Sequence, residues 1–299
     1  MSWVNSSIAV LMPYLPKWFA RPFAKPYVAG ESIESVTEIV RSINRNGFST
    51  TLDILGEHIH TPNEANEILN QYIDLIKNIS NNDLDSTISI KLTHLGLSLD
   101  KQLAKKNFTE LVTVAKNYNI GITIDMENST YTTKTLKFFK KGLEIHEDVG
   151  TVIQAYLHRS LDDLKELDSS KLNLRICKGI YSESPGIAIQ GRKKINDNFI
   201  KIAETLLLGQ GYACLATHDL ELIDQLEELI KKYNISKDRF EFQALYGVPM
   251  GNRLELLKEK GFKIRIYVPF GEAWFDYSIR RLKENPKIIS YILTNIFKK

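Results

Sequence analysis

The sequence predicts an α/β protein built as a (β/α)8 barrel, and three observations support this fold class. Short β-branched and aromatic segments alternate with longer amphipathic segments, as parallel strands and their crossover helices do. Eight such units follow one another between residues 48 and 299, and no Pro/Gly/Ser-rich linker separates them. We therefore expect one barrel domain over residues 46–299, preceded by a helical extension over residues 1–45 that packs on the barrel.

A doubly wound open sheet is the alternative fold, because the length of 299 residues does not decide the number of domains. Such a sheet usually carries a G-x-G-x-x-G turn after its first strand. Here only Gly56 follows Leu55. The missing turn favours the barrel.

The eight strands are predicted from their β-branched and aromatic content, with boundaries that can shift by a few residues. They are Phe48–Leu55, Thr87–His94, Gly121–Glu127, Thr151–Tyr156, Leu172–Lys178, Tyr212–Thr217, Phe240–Leu245 and Phe262–Val268.

The intervening segments carry helix signals. Thr61-Pro62-Asn63-Glu64 is typical of a helix start. In residues 219–232 the apolar side chains recur at intervals of three and four, which predicts an amphipathic helix packed on a core.

Composition excludes several functional classes. The 39 Lys and Arg residues and 36 Asp and Glu residues give a net charge of +3 and are interspersed, which is not the pattern of a nucleic-acid-binding protein. Two cysteines, Cys177 and Cys214, are too few for a disulfide scaffold and lie in apolar strands, where we expect buried reduced thiols. Because we find neither a signal peptide nor an apolar run of about 18 residues, we expect a cytoplasmic protein.

Polar residues stand near the ends of several predicted strands, where barrels of this type carry their chemistry. They are Lys91, Asp125, Glu127, Gln154, Arg175, Lys178, Thr217, His218, Asp219 and Gln243. Any one of them could instead cap a helix or pair with a neighbour, and Asp219 is a candidate N-cap. Lys91 and Asp125 fall on adjacent strands, where an ion pair could hold both charges towards a ligand.

A second cluster is predicted on the last helix. Tyr277, Arg280, Arg281 and Glu284 are spaced so that they share one helix face. Adjacent guanidinium groups suit a carboxylate or a phosphate, each of which can be bound in a bidentate manner. The alternative is a salt-bridged surface stripe, since Glu284 could pair with either arginine.

These residues resemble the proline dehydrogenase family of FAD-dependent, monofunctional enzymes, and the resemblance spans most of the chain. The matching segments are residues 91–97 (KLTHLGL), 123–127 (TIDME), 154–157 (QAYL), 175–181 (RICKGIY), 216–219 (ATHD), 240–243 (FEFQ), 245–247 (LYG) and 265–271 (RIYVPFG), followed by Trp274, Tyr277 and the R-R-x-x-E segment at 280–284. They occur in the family's order and spacing.

The resemblance implies a distorted TIM-type barrel whose final helix lies over the barrel mouth. It also implies that Lys91, Arg280 and Arg281 bind the carboxylate of L-proline, that Leu245, Tyr267 and Tyr277 surround its ring, and that Glu284 orients the arginines. Asp125 and Arg175 would be the catalytic residues, with Asp125 orienting Lys91 or Arg281.

For the cofactor, the resemblance implies an FAD site with no metal. Its residues would be Met126, Gln154, Arg175, Lys178, Gly179, Ile180, Thr217 and His218. A fixed cation at Arg175 would favour the electron-rich reduced flavin. Gly179, which has no Cβ, would allow the backbone to approach the cofactor.

The implied reaction is the first step of proline catabolism, the oxidation of L-proline to Δ1-pyrroline-5-carboxylate by hydride transfer to FAD. The implied partners are a quinone that accepts the electrons at a membrane surface and a separate pyrroline-5-carboxylate dehydrogenase. We accordingly expect peripheral contact with the inner face of the membrane. Two positions depart from the family pattern, since Ile180 replaces a common Ala and Phe270 a common Tyr.

Two other functions compete with this interpretation. His58-Ile59-His60 resembles a metal-binding pair of a barrel hydrolase, with His218 as a third ligand, but the remaining ligands are missing. A barrel that has lost catalysis and acts as a binding or electron-relay protein is the second alternative. The joint presence of the charged residues described above opposes it.

Overall fold

The computed structural model describes residues 27–56, 59–167, 172–275 and 277–278, and its centre is a closed barrel of eight parallel strands. Each strand pairs with the next one along the chain, and the last strand pairs with the first. The strands are β1 (Ser49–Ile54), β2 (Ser86–Ile90), β3 (Ile122–Ile124), β4 (Val149–Gln154), β5 (Asn173–Cys177), β6 (Tyr212–Ala216), β7 (Phe240–Leu245) and β8 (Lys263–Phe270). The predicted fold class is confirmed, and the open sheet is excluded.

Helices connect the strands and form the outer layer. They are α1 (Ile33–Arg45) before β1, then α2 (Pro62–Asn81), α3 (Lys101–Tyr118), α4 (Thr132–Ile145), α5 (Ser160–Lys165), α6 (Arg192–Leu208), α7 (Leu220–Lys232) and α8 (Arg253–Glu259), each after the strand with the number one lower. Thr61 caps α2 as predicted, because its side chain accepts a hydrogen bond from the backbone N–H of Glu64.

Helix α1 completes this outer layer beside β1. It contacts β1 and α2, and the carbonyl of Asn46 just after it accepts a hydrogen bond of 2.7 Å from Lys258 in α8. Helix α1 therefore fills the space between the helices that follow β1 and β7. Residues 1–26 of the predicted extension and the part of the final helix beyond residue 278 lie outside the described residues.

Strands β2 and β3 end three or four residues before the predicted positions, a larger shift than in the other strands. Strand β2 ends at Ile90 rather than His94, because the chain enters a turn in which the N–H of His94 donates to the carbonyl of Lys91. Strand β3 likewise ends at Ile124 rather than Glu127. Lys91 and Asp125 thus lie directly after their strands, at the rim of the barrel.

The eighth strand is longer than predicted and is held by residues that precede α1. The N–H of Ala29 donates to the carbonyl of Pro269 at 2.9 Å, and the N–H of Gly271 donates to the carbonyl of Gly30 at 2.9 Å. These two bonds extend the pairing of the chain beyond the predicted end of β8 at Val268.

The two cysteines lie in the barrel wall, where Cys214 is buried and Cys177 is half-buried, and neither forms a disulfide. Burial raises the pKa of Cys177 to about 11, which keeps its thiol protonated at neutral pH. Within the described ranges, no helix has the length and apolar character needed to cross a bilayer.

Candidate active site

A cavity of about 430 Å³ opens at the carboxyl ends of the strands. Every described residue that was predicted for catalysis, the cofactor or the substrate lines it: Lys91, Asp125, Met126, Gln154, Arg175, Lys178, Gly179, Ile180, Thr217, His218, Leu245, Tyr267 and Tyr277. Of the polar residues near strand ends, Glu127 and Asp219 do not line it. The predicted residues Arg280, Arg281 and Glu284 lie outside the described residues. The barrel therefore gathers side chains that are widely separated in sequence into one site.

Lys91 lies between two carboxylates at the floor of this cavity. Its ammonium nitrogen is 2.7 Å from an oxygen of Asp53 and 3.7 Å from an oxygen of Asp125. The ion pair predicted between Lys91 and Asp125 is therefore present but is the longer of the two. The closer partner, Asp53, was not predicted.

Asp53 could have been found from one signal in the sequence. It is a carboxylate inside the otherwise uncharged segment Ser49–Ile54, two residues after Thr51. Since alternate residues of a strand share a face, Asp53 points into the barrel with Thr51.

Arg175 on β5 is held from three sides. Its guanidinium donates to Asp125 at 2.6 Å, to the side-chain oxygen of Gln243 at 2.7 Å and to Ser89 at 3.0 Å. The carbon of the guanidinium also lies 5.1 Å from the centre of the Tyr267 ring, in cation–π contact. This cation is therefore fixed in position at the cavity wall.

Asp125 joins the two cations to the Tyr267 hydroxyl. That hydroxyl donates to Asp125 at 2.8 Å, while the other carboxylate oxygen accepts from Arg175. Asp125 thus orients Arg175 and Tyr267 as well as facing Lys91. Asp125 was predicted to orient Lys91 or Arg281, and its contact with Arg175 was not predicted.

The charge states of these groups follow from burial and from their neighbours. Burial acts to lower the pKa of Lys91, but the adjacent Asp53 and Asp125 carboxylates more than offset it and raise this pKa. Burial and then Asp125 raise the pKa of Tyr267 well above its usual value. At neutral pH the site therefore presents a charged ammonium, a charged guanidinium and a neutral phenol.

Burial also raises the pKa of the Asp53 carboxyl, and the Lys91 ammonium acts in the opposite direction. Because a buried charge is costly unless it is paired, the stability of each of these two groups in its charged form depends on the other. They are best described as one ion pair.

One wall of the cavity has an unused hydrogen-bonding group. The side-chain nitrogen of Gln154 donates to the carbonyl of Met126 at 3.2 Å. Its side-chain oxygen is buried and has no hydrogen-bond partner among the described residues. A buried acceptor without a donor is costly, so a ligand that supplies a donor would be stabilised at this position.

Gly179 also lines the cavity, and its backbone passes close to the ring of Tyr156. Its φ is +105°, and an added Cβ would lie 2.1 Å from a ring carbon of Tyr156. Only glycine fits both this conformation and this space. The neighbouring Ile180 lines the cavity but leaves 56% of its surface exposed, so its side chain is partly directed to solvent.

The predicted N-cap role of Asp219 is confirmed for its position but not for its side chain. It occupies the N-cap position of α7, but its side chain makes no capping hydrogen bond. Instead the carboxylate accepts from Lys178 at 2.5 Å, from Arg192 at 2.8 Å and from Asn196 at 3.0 Å. Although burial acts to raise it, these donors lower the pKa of Asp219.

His218 connects the two sides of the cavity. Its Nε2 accepts a hydrogen bond of 2.9 Å from the backbone N–H of Leu245 on β7, so the neutral tautomer carries its proton on Nδ1. A residue predicted for the cofactor thereby touches one predicted for the substrate.

The metal-dependent hydrolase gains no support from this geometry. His58 lies outside the described residues, His60 is exposed, and His218 is engaged with Leu245. The described part of the chain holds no group of three or more His, Cys, Asp or Glu side chains that could bind a metal ion.

Comparison with known proteins decides the family. The family model described as proline dehydrogenase matches residues 36–292. The chain belongs to the proline dehydrogenase family. This confirms the resemblance drawn from the sequence, including the expectation of an oxidoreductase.

Curated members of the family resemble this chain along almost their full length. Proline dehydrogenase 1 of Bacillus subtilis subsp. natto is 38% identical over 276 residues, which are 92% of this chain and 91% of that protein. Proline dehydrogenase 2 of Bacillus subtilis strain 168 is 38% identical, with 94% and 93% covered. The proline dehydrogenase of Deinococcus radiodurans is 35% identical over 280 residues, with 92% and 90% covered.

Solved structures confirm the fold. Proline utilization A of Bdellovibrio bacteriovorus, in a form inactivated by N-propargylglycine, superposes with a TM-score of 0.82 at 24% identity over 88% of this chain. A variant of the same protein from Bradyrhizobium japonicum gives a TM-score of 0.71 at 23% identity, also over 88% of this chain. The chain spans about a third of the length of these two proteins, 33% and 31%.

Proposed function

We propose that the protein oxidises L-proline to Δ1-pyrroline-5-carboxylate with FAD as its cofactor and passes the electrons to a quinone. The observation that carries this proposal is one cavity that combines an ammonium, a guanidinium and a phenol with a largely apolar wall. Relatives named as proline dehydrogenases at 35–38% identity support the same substrate.

The residues present fit FAD. Gln154 offers a buried acceptor without a donor, and Gly179 lines the same cavity. Lys178, beside Arg192 and Asp219, offers positive charge suited to a pyrophosphate. We propose that Met126, Gln154, Arg175, Lys178, Gly179, Ile180, Thr217 and His218 hold the cofactor, which would supply the hydride-accepting chemistry.

The substrate's carboxylate would bind the Lys91 ammonium, which lies in the floor of the same cavity. We propose that Arg280 and Arg281 complete this clamp and that Glu284 orients them. Leu245, Tyr267 and Tyr277 would pack around the pyrrolidine ring. Holding proline at both its carboxylate and its ring makes the transfer of hydride from C5 effectively unimolecular.

Arg175 would act as a fixed positive charge during the transfer. Its three hydrogen-bond partners Asp125, Gln243 and Ser89 set its orientation before substrate arrives. Because folding fixes this orientation in advance, the guanidinium would need little reorganisation as negative charge develops beside it. We propose Arg175 and Asp125 as the catalytic residues, with Asp125 holding both Arg175 and the Tyr267 hydroxyl.

The product and the electrons define the partners. Δ1-Pyrroline-5-carboxylate is the substrate that a separate pyrroline-5-carboxylate dehydrogenase would consume. A quinone dissolved in a bilayer would require the protein to contact the inner face of the membrane peripherally, from the cytoplasm. This contact is measured by the rate at which the proline-reduced protein reduces a quinone. The rate with the quinone in lipid vesicles is compared with the rate in solution without vesicles.

The visible spectrum of the purified protein tests the central proposal. Oxidised flavin bands are expected, and anaerobic addition of L-proline should bleach them, whereas cyclopentanecarboxylate, which has no amine, should not. Failure to bind FAD after reconstitution would refute the cofactor, and bands that persist with L-proline would refute the substrate.

The role of Arg175 is tested by its replacement. Arg175→Met is expected to lower kcat/KM for L-proline by about 10²-fold or more, as loss of one preorganised electrostatic group commonly does. The midpoint potential of the bound flavin should become more negative, and Arg175→Lys should recover part of that shift because it keeps the charge. Arg159→Met is the control, since Arg159 pairs with Asp163 outside the cavity. An unchanged potential in Arg175→Met would contradict the role.

A further inference from the structure

Asp53 is a charged residue of the cavity to which neither the sequence nor the proposed mechanism assigns a task. It lies on β1 with its side chain only 2% exposed, and it lines the same cavity as Lys91. A buried carboxylate in a barrel interior has a large desolvation cost, so a compensating interaction is required. That interaction is the hydrogen bond of 2.7 Å from Lys91.

Two carboxylates, those of Asp53 and Asp125, attract the Lys91 ammonium. It is 1.0 Å closer to Asp53 than to Asp125, at 2.7 Å and 3.7 Å respectively. Asp125 already accepts hydrogen bonds from Arg175 and from Tyr267. Without the charge of Asp53, the nearest anion to Lys91 would be Asp125, and a shorter contact there would compete with Arg175 and Tyr267.

The four charges of this cluster cancel. Asp53 and Asp125 carry two negative charges, and Lys91 and Arg175 carry two positive charges. A carboxylate that enters the cavity therefore meets no excess positive charge from these four groups. Its binding to them depends on where the ammonium hydrogens point.

We propose that Asp53 is a positioning residue that holds the Lys91 ammonium away from Asp125. Lys91 then keeps N–H groups for a carboxylate in the cavity, and Asp125 stays committed to Arg175 and Tyr267. This inference rests on the proposed function, in which Lys91 receives the carboxylate of the substrate.

A pure charge effect and a positioning effect predict opposite changes in anion affinity for the same substitution of Asp53. Asp53→Asn is nearly isosteric and gives the four-residue cluster a net positive charge, so a pure charge effect would strengthen the binding of an anion. If Asp53 acts by positioning, the same substitution lets Lys91 move to Asp125 and weakens that binding. The sign of the change therefore identifies the mechanism.

The test is a double-mutant cycle on the FAD-loaded protein with Asp53→Asn, Lys91→Met and the double variant. Calorimetry with cyclopentanecarboxylate, a ring carboxylate that cannot be oxidised at nitrogen, measures binding without turnover. Asp53→Asn is expected to raise Kd about tenfold or more, since small misplacements of a positioning group are costly. In the Lys91→Met background it should cause no further loss, because the group it positions is absent.

Steady-state kinetics give a second measurement. In Asp53→Asn, KM for L-proline should rise by a larger factor than kcat falls, and Asp53→Glu, which keeps the charge, should lie closer to the wild type. Should Asp53→Asn fail to fold, Asp53→Ser carries the same comparison with a smaller uncharged side chain. Asp163→Asn is the matched control, because Asp163 is a buried carboxylate paired with Arg159 outside the cavity, and it should leave Kd unchanged.

The outcomes separate this inference from the proposed function. Tighter or unchanged binding in Asp53→Asn, equal losses in both backgrounds, or no binding of cyclopentanecarboxylate by the wild type would overturn the positioning role. A wild type that binds cyclopentanecarboxylate but is not reduced by L-proline would contradict the proposed oxidation alone.

Discussion

The two ends of the barrel interior carry the same chemistry in different arrangements. At the carboxyl end, Asp125 and Arg175 pair at 2.6 Å beside the cavity described above. At the amino end, Glu241 and Arg265 pair at 2.7 Å beside a second cavity of about 340 Å³. Both pairs are largely buried and both arginines come from strands.

The two ends differ in the number of polar groups that remain available to a ligand. Arg265 also donates to the backbone carbonyl of Thr50 at 2.7 Å, and Glu241 also accepts from the Tyr212 hydroxyl at 3.2 Å. At the carboxyl end, the Gln154 oxygen has no partner among the described residues, and Lys91 faces open volume. At the amino end Arg265 and Glu241 thus form their hydrogen bonds with other protein groups. At the carboxyl end Gln154 and Lys91 retain hydrogen-bonding capacity for a ligand.

Gln243 joins the two ends. Its side-chain oxygen accepts from Arg175 at 2.7 Å, and its nitrogen donates to Glu241 at 2.6 Å. Because the amide is held by an anion on one side, its oxygen must face the guanidinium on the other. The amino-end pair therefore supports the geometry of the site through Gln243, without itself lining the cavity at the carboxyl end.

The largest expected effect breaks the amino-end pair. Arg265→Met leaves Glu241 buried without its closest cation, and the free energy of unfolding should fall by about 3–5 kcal/mol. Urea unfolding of the FAD-loaded protein measures this change. Adding Glu241→Gln should restore part of the loss, because the uncompensated charge is then removed.

If Arg265→Met left stability intact, the amino end would not be the structural half of the comparison. In Arg265→Met the Kd for cyclopentanecarboxylate should change much less than it does in Asp53→Asn. A larger change in that Kd would place the pair in the site itself.

A smaller effect is expected at the carboxyl end from Gly179→Ala. The positive φ and the clash with Tyr156 should together cost about 1–3 kcal/mol, and the amount of FAD bound per chain should fall. Gly191→Ala is a matched control, because φ there is +93° but no atom lies within 4 Å of the added Cβ. Equal losses of FAD in both variants would show that backbone strain alone matters.

The last expected effect concerns pH, accumulates gradually over several pH units and also lies at the carboxyl end. Burial, followed by the Lys91 charge, lowers the pKa of His94 to about 3 from its usual value of 6.5. The unfolded chain binds this proton more readily than the folded chain, so His94 should make stability fall as the pH drops from about 6.5 towards about 3. The slope from this group is at most about 1.4 kcal/mol per pH unit.

Thermal unfolding of the wild type and of His94→Gln across this pH range measures the contribution. The variant should show a flatter dependence of Tm on pH, while His158→Gln, which replaces an exposed histidine, should follow the wild type. Identical curves for the wild type and His94→Gln would contradict burial of a neutral imidazole beside Lys91.

Much of this structure was predictable from sequence because the signals are local. Alternation of strand and helix patterns identified the eight strands, and the search for polar residues near strand ends found residues that line the cavity, such as Gln154 and Arg175. In a barrel the carboxyl ends of all strands meet at one rim. Once the fold class is known, residues at these ends are therefore expected to lie close together.

The choice of partners was not predictable in the same way. Lys91 prefers Asp53 to Asp125, and the side chain of Asp219 binds cations instead of capping α7. Such choices depend on the register between strands and on distances of about 1 Å, which no periodic pattern encodes. Ser89 was missed for the same reason, because a serine within a strand carries no signal of the arginine it will meet.

The pairing of residues 29–30 with residues 269–271 has a consequence for biosynthesis. A ribosome releases α1 and β1 first, yet their neighbours β8 and Lys258 emerge only after most of the chain has been translated. Until then the nascent sheet has two open edges, and exposed edges are prone to intermolecular pairing. Vectorial synthesis therefore makes ring closure a late event, and chaperone protection of the β1 edge during translation would limit aggregation.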